Sequence, residues 1–134
     1  MSLIFDTGAI IRLVEHKRRE VIDLLRANEG QFSYALATLG ELHRGVSAAR
    51  DETAHCVRGE TLRVALRRGN LLLPNQQTAM RWGTLAAITP RRVVHNDLWI
   101  AATALEHALT LVTADIDLAG VAEQQKLPVR LIAA

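Results

Sequence analysis

The sequence is poor in the residue types on which several classes of protein depend. Its only cysteine is Cys56, which excludes an internal disulfide, and its five histidines are scattered without the spacing of a zinc site. It has no glycine-rich phosphate loop of the Walker type, which argues against a machine driven by nucleotide triphosphates. Aromatic residues make up only 4% of the chain, so its hydrophobic core must consist mainly of Leu, Val, Ile and Ala.

Long apolar runs are also missing. The apolar segment at residues 98–112 is interrupted by Glu106 and His107 and is too short to cross a bilayer. An acidic residue, Asp6, follows the very short apolar run at the start, which does not fit a secretory signal peptide. We therefore expect a soluble, cytoplasmic protein without a membrane partner, and the lone cysteine fits a reducing compartment.

The remaining composition is that of a folded protein. With 134 residues, of which 49% are hydrophobic, the chain is long enough for one domain with a core, and we assign residues 1–134 to that domain. The net charge of +2 is too small to indicate nucleic-acid binding by itself. Basic residues cluster at positions 17–19, 67–68 and 91–92, and the simplest interpretation of each cluster is a solvated helix face.

Short apolar segments alternate with helical patterns along the chain. The apolar runs predict strands at residues 3–5, 31–36, 71–73, 109–113 and 129–132. Amphipathic spacing predicts helices at residues 9–14, 19–27, 38–49, 51–68, 76–88, 96–109 and 118–125. Strands separated by helices need crossover connections, so we expect an α/β protein whose sheet is mostly parallel and covered by helices on both faces.

Acidic residues stand at the ends of these predicted elements. Asp6 directly follows the first strand and Asp115 follows the fourth, while Glu41 lies in the first turn of a helix. Asp97 also lies in a first turn, next to the predicted N-cap Asn96. In a parallel sheet the functional crevice lies at the carboxyl ends of the strands. We therefore expect the four carboxylates at one edge of the sheet.

Most of these acids also have an ordinary structural interpretation. Asp97 would complement a helix dipole. Glu41 would close a capping box with Thr38, and Asp115 would cap the helix that follows it. Asp6 is harder to explain in this way, because an acid at the end of a buried strand is poorly placed for solvation.

Carboxylates crowded at one place repel each other and cannot all ionise without a counter-charge. A divalent cation removes that cost, and Mg²⁺ or Mn²⁺ prefers oxygen ligands. Such a cation suits phosphoryl chemistry, because it makes water more acidic and stabilises charge on phosphate oxygens. The residues therefore favour a phosphodiester substrate held by basic side chains around the cleft, with Arg12, Arg44 and the pair Arg91–Arg92 as candidates.

Four segments resemble those of a known family in their order and spacing: IFDTGAII, ATLGELHRG, NDLWIAATALEH and LTLVTADID. Over nearly its whole length the sequence resembles the PIN-domain ribonucleases, and in particular the VapC toxins of bacterial VapBC toxin–antitoxin pairs. The resemblance implies a PIN-like three-layer α/β/α fold with a mostly parallel central sheet of about five short strands. It also implies the catalytic and metal-binding acids and their neighbours, which are Asp6, Glu41, Asp97 and Asp115, the hydroxyl residue Thr113 and the auxiliary acid Asp117.

The same resemblance implies an activity and partners. The protein would be a toxin and an endoribonuclease that depends on Mg²⁺ or Mn²⁺ and cleaves single-stranded RNA, or RNA loops, by metal-activated water. Its partners would be RNA, a cognate antitoxin and a second copy in a homodimer. The antitoxin is expected on the early helices, whose apolar residues exceed what one buried face needs: Ile10, Ile11, Leu13, Val14, Val21, Leu24 and Leu25. The chain departs from the family at Gly8, where Asn or Ser is usual, so a side-chain hydrogen bond near Asp6 would be missing.

Two other functions compete with this one. A receiver-like phosphorylated signalling module also collects acids at the ends of parallel strands. It would need an aspartate after the middle strand and a lysine after the last, where this chain has LLLP and RLIAA. A catalytically silent PIN fold that only binds RNA or protein is the second alternative, and the complete set of four acids argues against it.

Overall fold

The computed structural model describes residues 2–134, which form five strands and seven helices; Met1, the first residue of the predicted domain, lies outside the described residues. The strands are β1 Leu3–Phe5, β2 Ser33–Ala35, β3 Asn70–Leu72, β4 Thr110–Thr113 and β5 Val129–Leu131. The helices are α1 Thr7–Val14, α2 Arg19–Ala27, α3 Leu36–Ser47, α4 Glu52–Arg68, α5 Gln76–Ile88, α6 His95–Glu106 and α7 Ile116–Gln124.

The five strands form one sheet in the order β3-β2-β1-β4-β5, and every neighbouring pair is parallel. The central strand is β1, in which Ile4 is in register with Ser33 of β2 and with Leu111 of β4. The expected parallel α/β sheet is confirmed. Its strand order differs from the 2-1-3-4-5 order of receiver modules, so the receiver alternative is wrong.

Helices cover both faces of the sheet. Successive side chains of a strand point to opposite faces, so neighbouring residues of one strand pack against different layers of helices. Ile4 and Leu111 pack in one core cluster with residues of α5, α6 and α7. Leu3, Phe5 and Val112 pack in a second cluster with residues of α1, α2, α3 and α4. The fold is therefore the three-layer α/β/α arrangement that the resemblance implied. Because all five strands are parallel, their carboxyl ends lie at the same edge of the sheet, and helices of both layers begin there.

Helices α3 and α6 begin earlier than the sequence patterns indicate. The N-cap of α3 is Ala35, which makes no side-chain cap hydrogen bond, so the predicted capping box of Thr38 and Glu41 is wrong. Thr38 lies inside the helix and is fully buried. The N-cap of α6 is Val94, so the prediction of Asn96 as the cap is also wrong. Glu41 is thereby left without a role in capping its own helix.

Helices α1 and α7 likewise begin two residues before their predicted starts, and α6 ends three residues before its predicted end. Helices α2 and α5 begin and end at the predicted residues, while β2 and β5 are shorter than the apolar runs that contain them. Across residues 2–134, none of the helices combines the length and the apolar character that crossing a membrane requires.

Candidate active site

The carboxyl end of β1 carries Asp6, which is almost completely buried. Asp6 is the N-cap of α1, and its Oδ1 accepts the backbone N–H of Ala9 at 2.8 Å. Its Oδ2 accepts the hydroxyl of Thr113, at the end of the neighbouring strand β4, at 2.5 Å. Burial raises the pKa of Asp6, although the two hydrogen bonds and the charge of Arg12 act in the opposite direction. The side chain of Asp6 is thus held by one hydrogen bond from α1 and one from β4.

Asp115 lies two residues after the end of β4. It is the N-cap of α7, the ordinary structural role that the sequence analysis considered for it. Its Oδ1 accepts the backbone N–H groups of Asp117 and Leu118 at 2.9 and 3.2 Å. Its own N–H donates to the Thr113 hydroxyl at 3.0 Å. Asp115 is thus an exposed carboxylate that caps α7 and also lies at the carboxyl edge of the sheet.

Glu41 reaches the same edge from α3. Its Oε1 accepts the hydroxyl of Thr7 at 2.6 Å, a contact between residues 34 positions apart in the sequence. The Thr7 hydroxyl also lies 3.3 Å from that of the buried Thr38. Thr7 directly follows Asp6, so this hydrogen bond connects the start of α1 to the side chain of Glu41. The sequence patterns gave Thr7 no role, and only its position after Asp6 hinted at one.

Asp97, in the first turn of α6, is half-buried and lies among the other three acids. Burial raises its pKa to about 6, and the charges of Asp115, Glu41 and Asp6 contribute in the same direction. A side-chain hydrogen bond with Asp115 adds to the shift, since it requires a proton on one of the two carboxyls. Burial and, after it, the charges of its neighbours therefore both favour the protonated form of Asp97.

A single cavity of about 280 Å³ brings the predicted acids together, and its lining consists of Asp6, Thr7, Gly8, Arg12, Glu41, Asp97, Ala114 and Asp115. Thr113 lies directly behind it, fully buried. Asp117 is not part of the lining and instead forms an exposed ion pair with Arg92 at 3.1 Å. A larger cavity of about 680 Å³ lies at the amino ends of the strands. The chemistry of the lining, rather than size, marks the smaller one as the site.

The donor atoms at this cavity suit a hard cation. They are carboxylate oxygens, which Mg²⁺ and Mn²⁺ prefer. Burial and, after it, the charges of the neighbouring acids raise the pKa of Asp97, and a bound cation would offset both. Within residues 2–134, no group of three or more His, Cys, Asp or Glu side chains has the spacing of a preformed metal site. Asp6, Glu41 and Asp115 instead direct oxygens at donors of the protein itself. The residues present fit a cation by their chemistry and charge.

The candidate basic residues are placed differently from one another. Arg12 lines the acidic cavity itself. Arg44 lines an adjoining cavity of about 400 Å³ that shares Thr7 and Glu41 with it. Arg92 is engaged by Asp117, and Arg91 is exposed in the loop before α6. Of the candidates, Arg12 alone lines the acidic cavity.

The chain is similar to known proteins in sequence and in fold. Residues 3–124 match the family model described as PIN domain. Ribonuclease VapC4 of Mycobacterium tuberculosis is 30% identical over 102 residues, which cover 74% of this chain and 78% of that protein. The crystal structure of VapBC-5 of the same organism, a member of the VapBC family of toxin–antitoxin systems, has a TM-score of 0.73 at 27% identity over 100% of both chains. That of VapBC2 from Rickettsia felis, bound to a DNA fragment from their promoter, has a TM-score of 0.81 at 19% identity over 98% of both chains, a likeness of fold alone.

Proposed function

Because the chain belongs to the PIN-domain family and to its VapC branch, we propose that it is the ribonuclease toxin of a toxin–antitoxin pair, dependent on a divalent cation and directed at single-stranded RNA or RNA loops. The observation that supports this most directly is the convergence of Asp6, Glu41, Asp97 and Asp115 on one cavity. Four acids from four separate elements meet there, and burial together with the charges of its three neighbours raises the pKa of Asp97. A site built only for stability would not collect like charges in this way.

The residues at this site would have separate roles. Asp6, Asp97 and Asp115 would hold Mg²⁺ or Mn²⁺, and Glu41 would orient the attacking water or share in binding the cation. When bound, the cation supplies charge stabilisation on the phosphate oxygens and makes water a better nucleophile near neutral pH. Thr113 keeps Asp6 in position through its hydrogen bond, and Thr7 does the same for Glu41. Preorganised charge of this kind is usually the largest contribution to catalysis.

Single-stranded RNA fits the shape of the site better than a duplex. The cavity is a small crevice at the edge of the sheet, and its floor is formed by the starts of α1 and α6. Splayed bases and an exposed backbone reach such a crevice, whereas the bases of an A-form duplex are buried in a deep major groove. We therefore expect cleavage in unpaired segments.

The test is cleavage of a labelled RNA panel with Mg²⁺ or Mn²⁺, and with EDTA in their place. Asp97→Asn and Asp115→Asn should each lower the rate by roughly 100-fold or more, since each removes charge from the preorganised site. Asp23→Asn is the matched control, because Asp23 is an exposed acid on α2 and outside the cavity. If the Asp97 and Asp115 variants cut as fast as the control, the activity comes from a contaminant and the nuclease proposal is wrong.

We also propose a homodimer, for which exposed apolar surface is the support. A small apolar cavity of about 230 Å³ opens beside the ends of β2 and β3, lined in part by Leu36, Pro74 and Trp99. Leu73, next to it in the sequence, is 62% exposed. Exposed apolar residues grouped in this way mark association surfaces. Light scattering on the purified protein and on a Leu73→Asp variant tests the proposal, which requires twice the monomer mass and a loss of association in the variant.

A further inference from the structure

We infer that Arg12 is a substrate-binding residue of this site, which holds the RNA phosphate beside the acids, and that Gly8 provides the space in which its guanidinium sits. The inference rests on the proposed ribonuclease function and assigns one part of it to a particular pair of residues.

The guanidinium of Arg12 is held by two carbonyl groups of the backbone. Its Nη1 donates to the carbonyl oxygen of Gly8 at 3.1 Å, one turn earlier in α1. Its Nε donates to the carbonyl oxygen of Ala133 at 3.2 Å, beyond the end of β5. These two contacts fold the side chain back over the start of α1, where it forms part of the wall of the acidic cavity.

Gly8 is explained by space rather than by backbone conformation. It lies within α1 and is not among the residues with positive φ, so its backbone conformation is open to any amino acid. A Cβ atom at residue 8, however, would lie 3.0 Å from Nη1 of Arg12. That distance is too short for an undisturbed contact, and the guanidinium would have to move. A side chain at position 8 would therefore displace the guanidinium of Arg12 from its observed position by a few tenths of an ångström.

The guanidinium keeps donors free for a substrate. Arginine has five N–H donors in a planar fork, and the two contacts described use two of them. Within the described part of the chain, Arg12 has no carboxylate oxygen within 4 Å, so its guanidinium forms no ion pair that a phosphate would have to displace. The remaining N–H groups match the spacing of phosphate oxygens. A cation in a wall otherwise lined by acids lets the site accept a phosphodiester as well as a metal ion.

Binding of RNA measures this role separately from cleavage. In an Asp97→Asn background, which retains the RNA during the measurement, fluorescence anisotropy with a labelled single-stranded RNA gives Kd at several salt concentrations. Arg12→Ala should raise Kd roughly 10- to 100-fold, as expected for the loss of hydrogen bonds to a charged group. It should also lower the slope of log Kd against log salt by about 0.7, the contribution of one phosphate contact on a single strand.

Arg18→Ala is the matched control. Arg18 also donates to a backbone carbonyl beyond β5, that of Ala134 at 2.9 Å, but it does not line the cavity. This variant removes one positive charge and one anchor of residues 133–134, and it should leave both Kd and the salt slope close to those of the parent. Arg12→Lys should retain the salt slope but bind more weakly, because lysine keeps the charge and loses the fork.

A double-mutant cycle tests the part played by Gly8. Gly8→Ala should weaken RNA binding when Arg12 is present and have no effect in an Arg12→Ala background, where the space is already free. Equal effects in both backgrounds would overturn the proposed link between the two residues. An Arg12→Ala variant that is folded and binds RNA with the Kd and salt slope of the Arg18→Ala control would overturn the role of Arg12. Neither of these results contradicts the ribonuclease proposal if the wild type cleaves RNA. An inactive wild type, in contrast, would refute the ribonuclease proposal and would leave the RNA-binding measurements on Arg12 and Gly8 to be judged separately.

Discussion

Thr113 joins the carboxyl ends of two neighbouring strands to each other through a single hydroxyl group. It donates its proton to Oδ2 of Asp6, which ends β1, and accepts the backbone N–H of Asp115, which follows its own strand β4. Because Thr113 and Asp6 are both buried, water cannot replace the hydrogen bond between them without opening the core. The relative position of two of the four acids thus depends on one side chain that is not itself acidic.

Thr113→Val should therefore affect both stability and activity. The substitution keeps the shape of the side chain and removes its donor and acceptor, which leaves buried polar groups unpaired at a cost of about 1–3 kcal/mol. Loss of the hydrogen bond should also raise the pKa of Asp6 further, since that bond lowers it. Denaturant unfolding and RNA cleavage measure the two effects, and Thr113→Ser should restore both.

Thr103→Val is the control for this substitution. Thr103 is also buried, but its hydroxyl donates to the Trp99 carbonyl within its own helix at 2.8 Å, away from the acids. This variant should retain cleavage activity. A Thr113→Val protein with the cleavage rate of the Thr103 variant would show that Thr113 does not position the site.

Glu106 gives a prediction about pH. It ends α6 and accepts the hydroxyl of Thr78 in the first turn of α5, and this hydrogen bond lowers its pKa below the usual 4.5. A lowered pKa in the folded state means that the ionised group stabilises the protein above pH 4.5, and that this contribution is lost as the pH falls through the folded pKa. Glu106→Gln should be less stable than wild type at pH 7, and the difference should shrink on acidification. Urea unfolding across this range tests it, with the exposed Glu123→Gln as control, and a difference that is constant with pH would contradict it.

Much of the fold follows from local sequence, and α5 shows why. Its predicted bounds are correct because Pro74 precedes it closely and Pro90 stops it, so both ends are marked in the sequence itself. Strand β1 is similarly marked by a fully buried apolar run that ends at an acid. The parallel sheet then follows from alternation of strands and helices, and with it the edge at which the acids meet.

Contacts between distant residues explain what local sequence misses. Thr38 and Glu41 have the spacing of a capping box, yet both interact with Thr7, which lies more than 30 positions away. This tertiary contact, together with burial of Thr38, accounts for a helix that begins at Leu36 without a side-chain cap. The position of Arg12 is equally non-local, since it depends on the carbonyl of Ala133. The sequence names the acids, Thr113 and Arg12 as candidates, but it does not predict the contact of Thr7 with Glu41 or that of Arg12 with Ala133.

Charge repulsion at the site predicts opposite effects of Asp97→Asn with and without metal. At pH 8 the Asp97 carboxylate, with a pKa of about 6, is ionised beside three other acids, so the metal-free variant should be more stable than metal-free wild type. Mg²⁺ or Mn²⁺ should raise the melting temperature of the wild type, because a cation at 100 times its Kd contributes about 2.7 kcal/mol to the folded state. The variant should lose most of this response, while Asp23→Asn keeps it. A full metal response in Asp97→Asn would exclude Asp97 from the metal site.

The last prediction concerns the antitoxin surface. Of the seven apolar residues on the early helices that the sequence analysis named for this surface, Ile10, Val21, Leu24 and Leu25 are buried in the core. Leu13 and Val14 are only partly buried, and together with Ile22 they line a groove of about 560 Å³ between α1, α2 and α4. We define this groove by those three residues and expect it to receive an apolar segment of the antitoxin, since residues left partly exposed in a groove gain most from a partner.

Co-expression with the candidate antitoxin, which we expect to be a small protein encoded immediately upstream, tests this surface. Purification on a tag carried by the toxin should recover both proteins, and Val14→Asp should reduce recovery of the partner, because it places a charge in the groove. Met80→Asp is the control, since Met80 is 60% exposed on α5 and lies on the other face of the sheet from the groove. Melting temperatures show whether the Val14 variant is folded. If a folded Val14→Asp protein recovers as much partner as Met80→Asp, the antitoxin binds elsewhere, and the partly exposed residues of α1 and α2 serve only to pack these helices against α4.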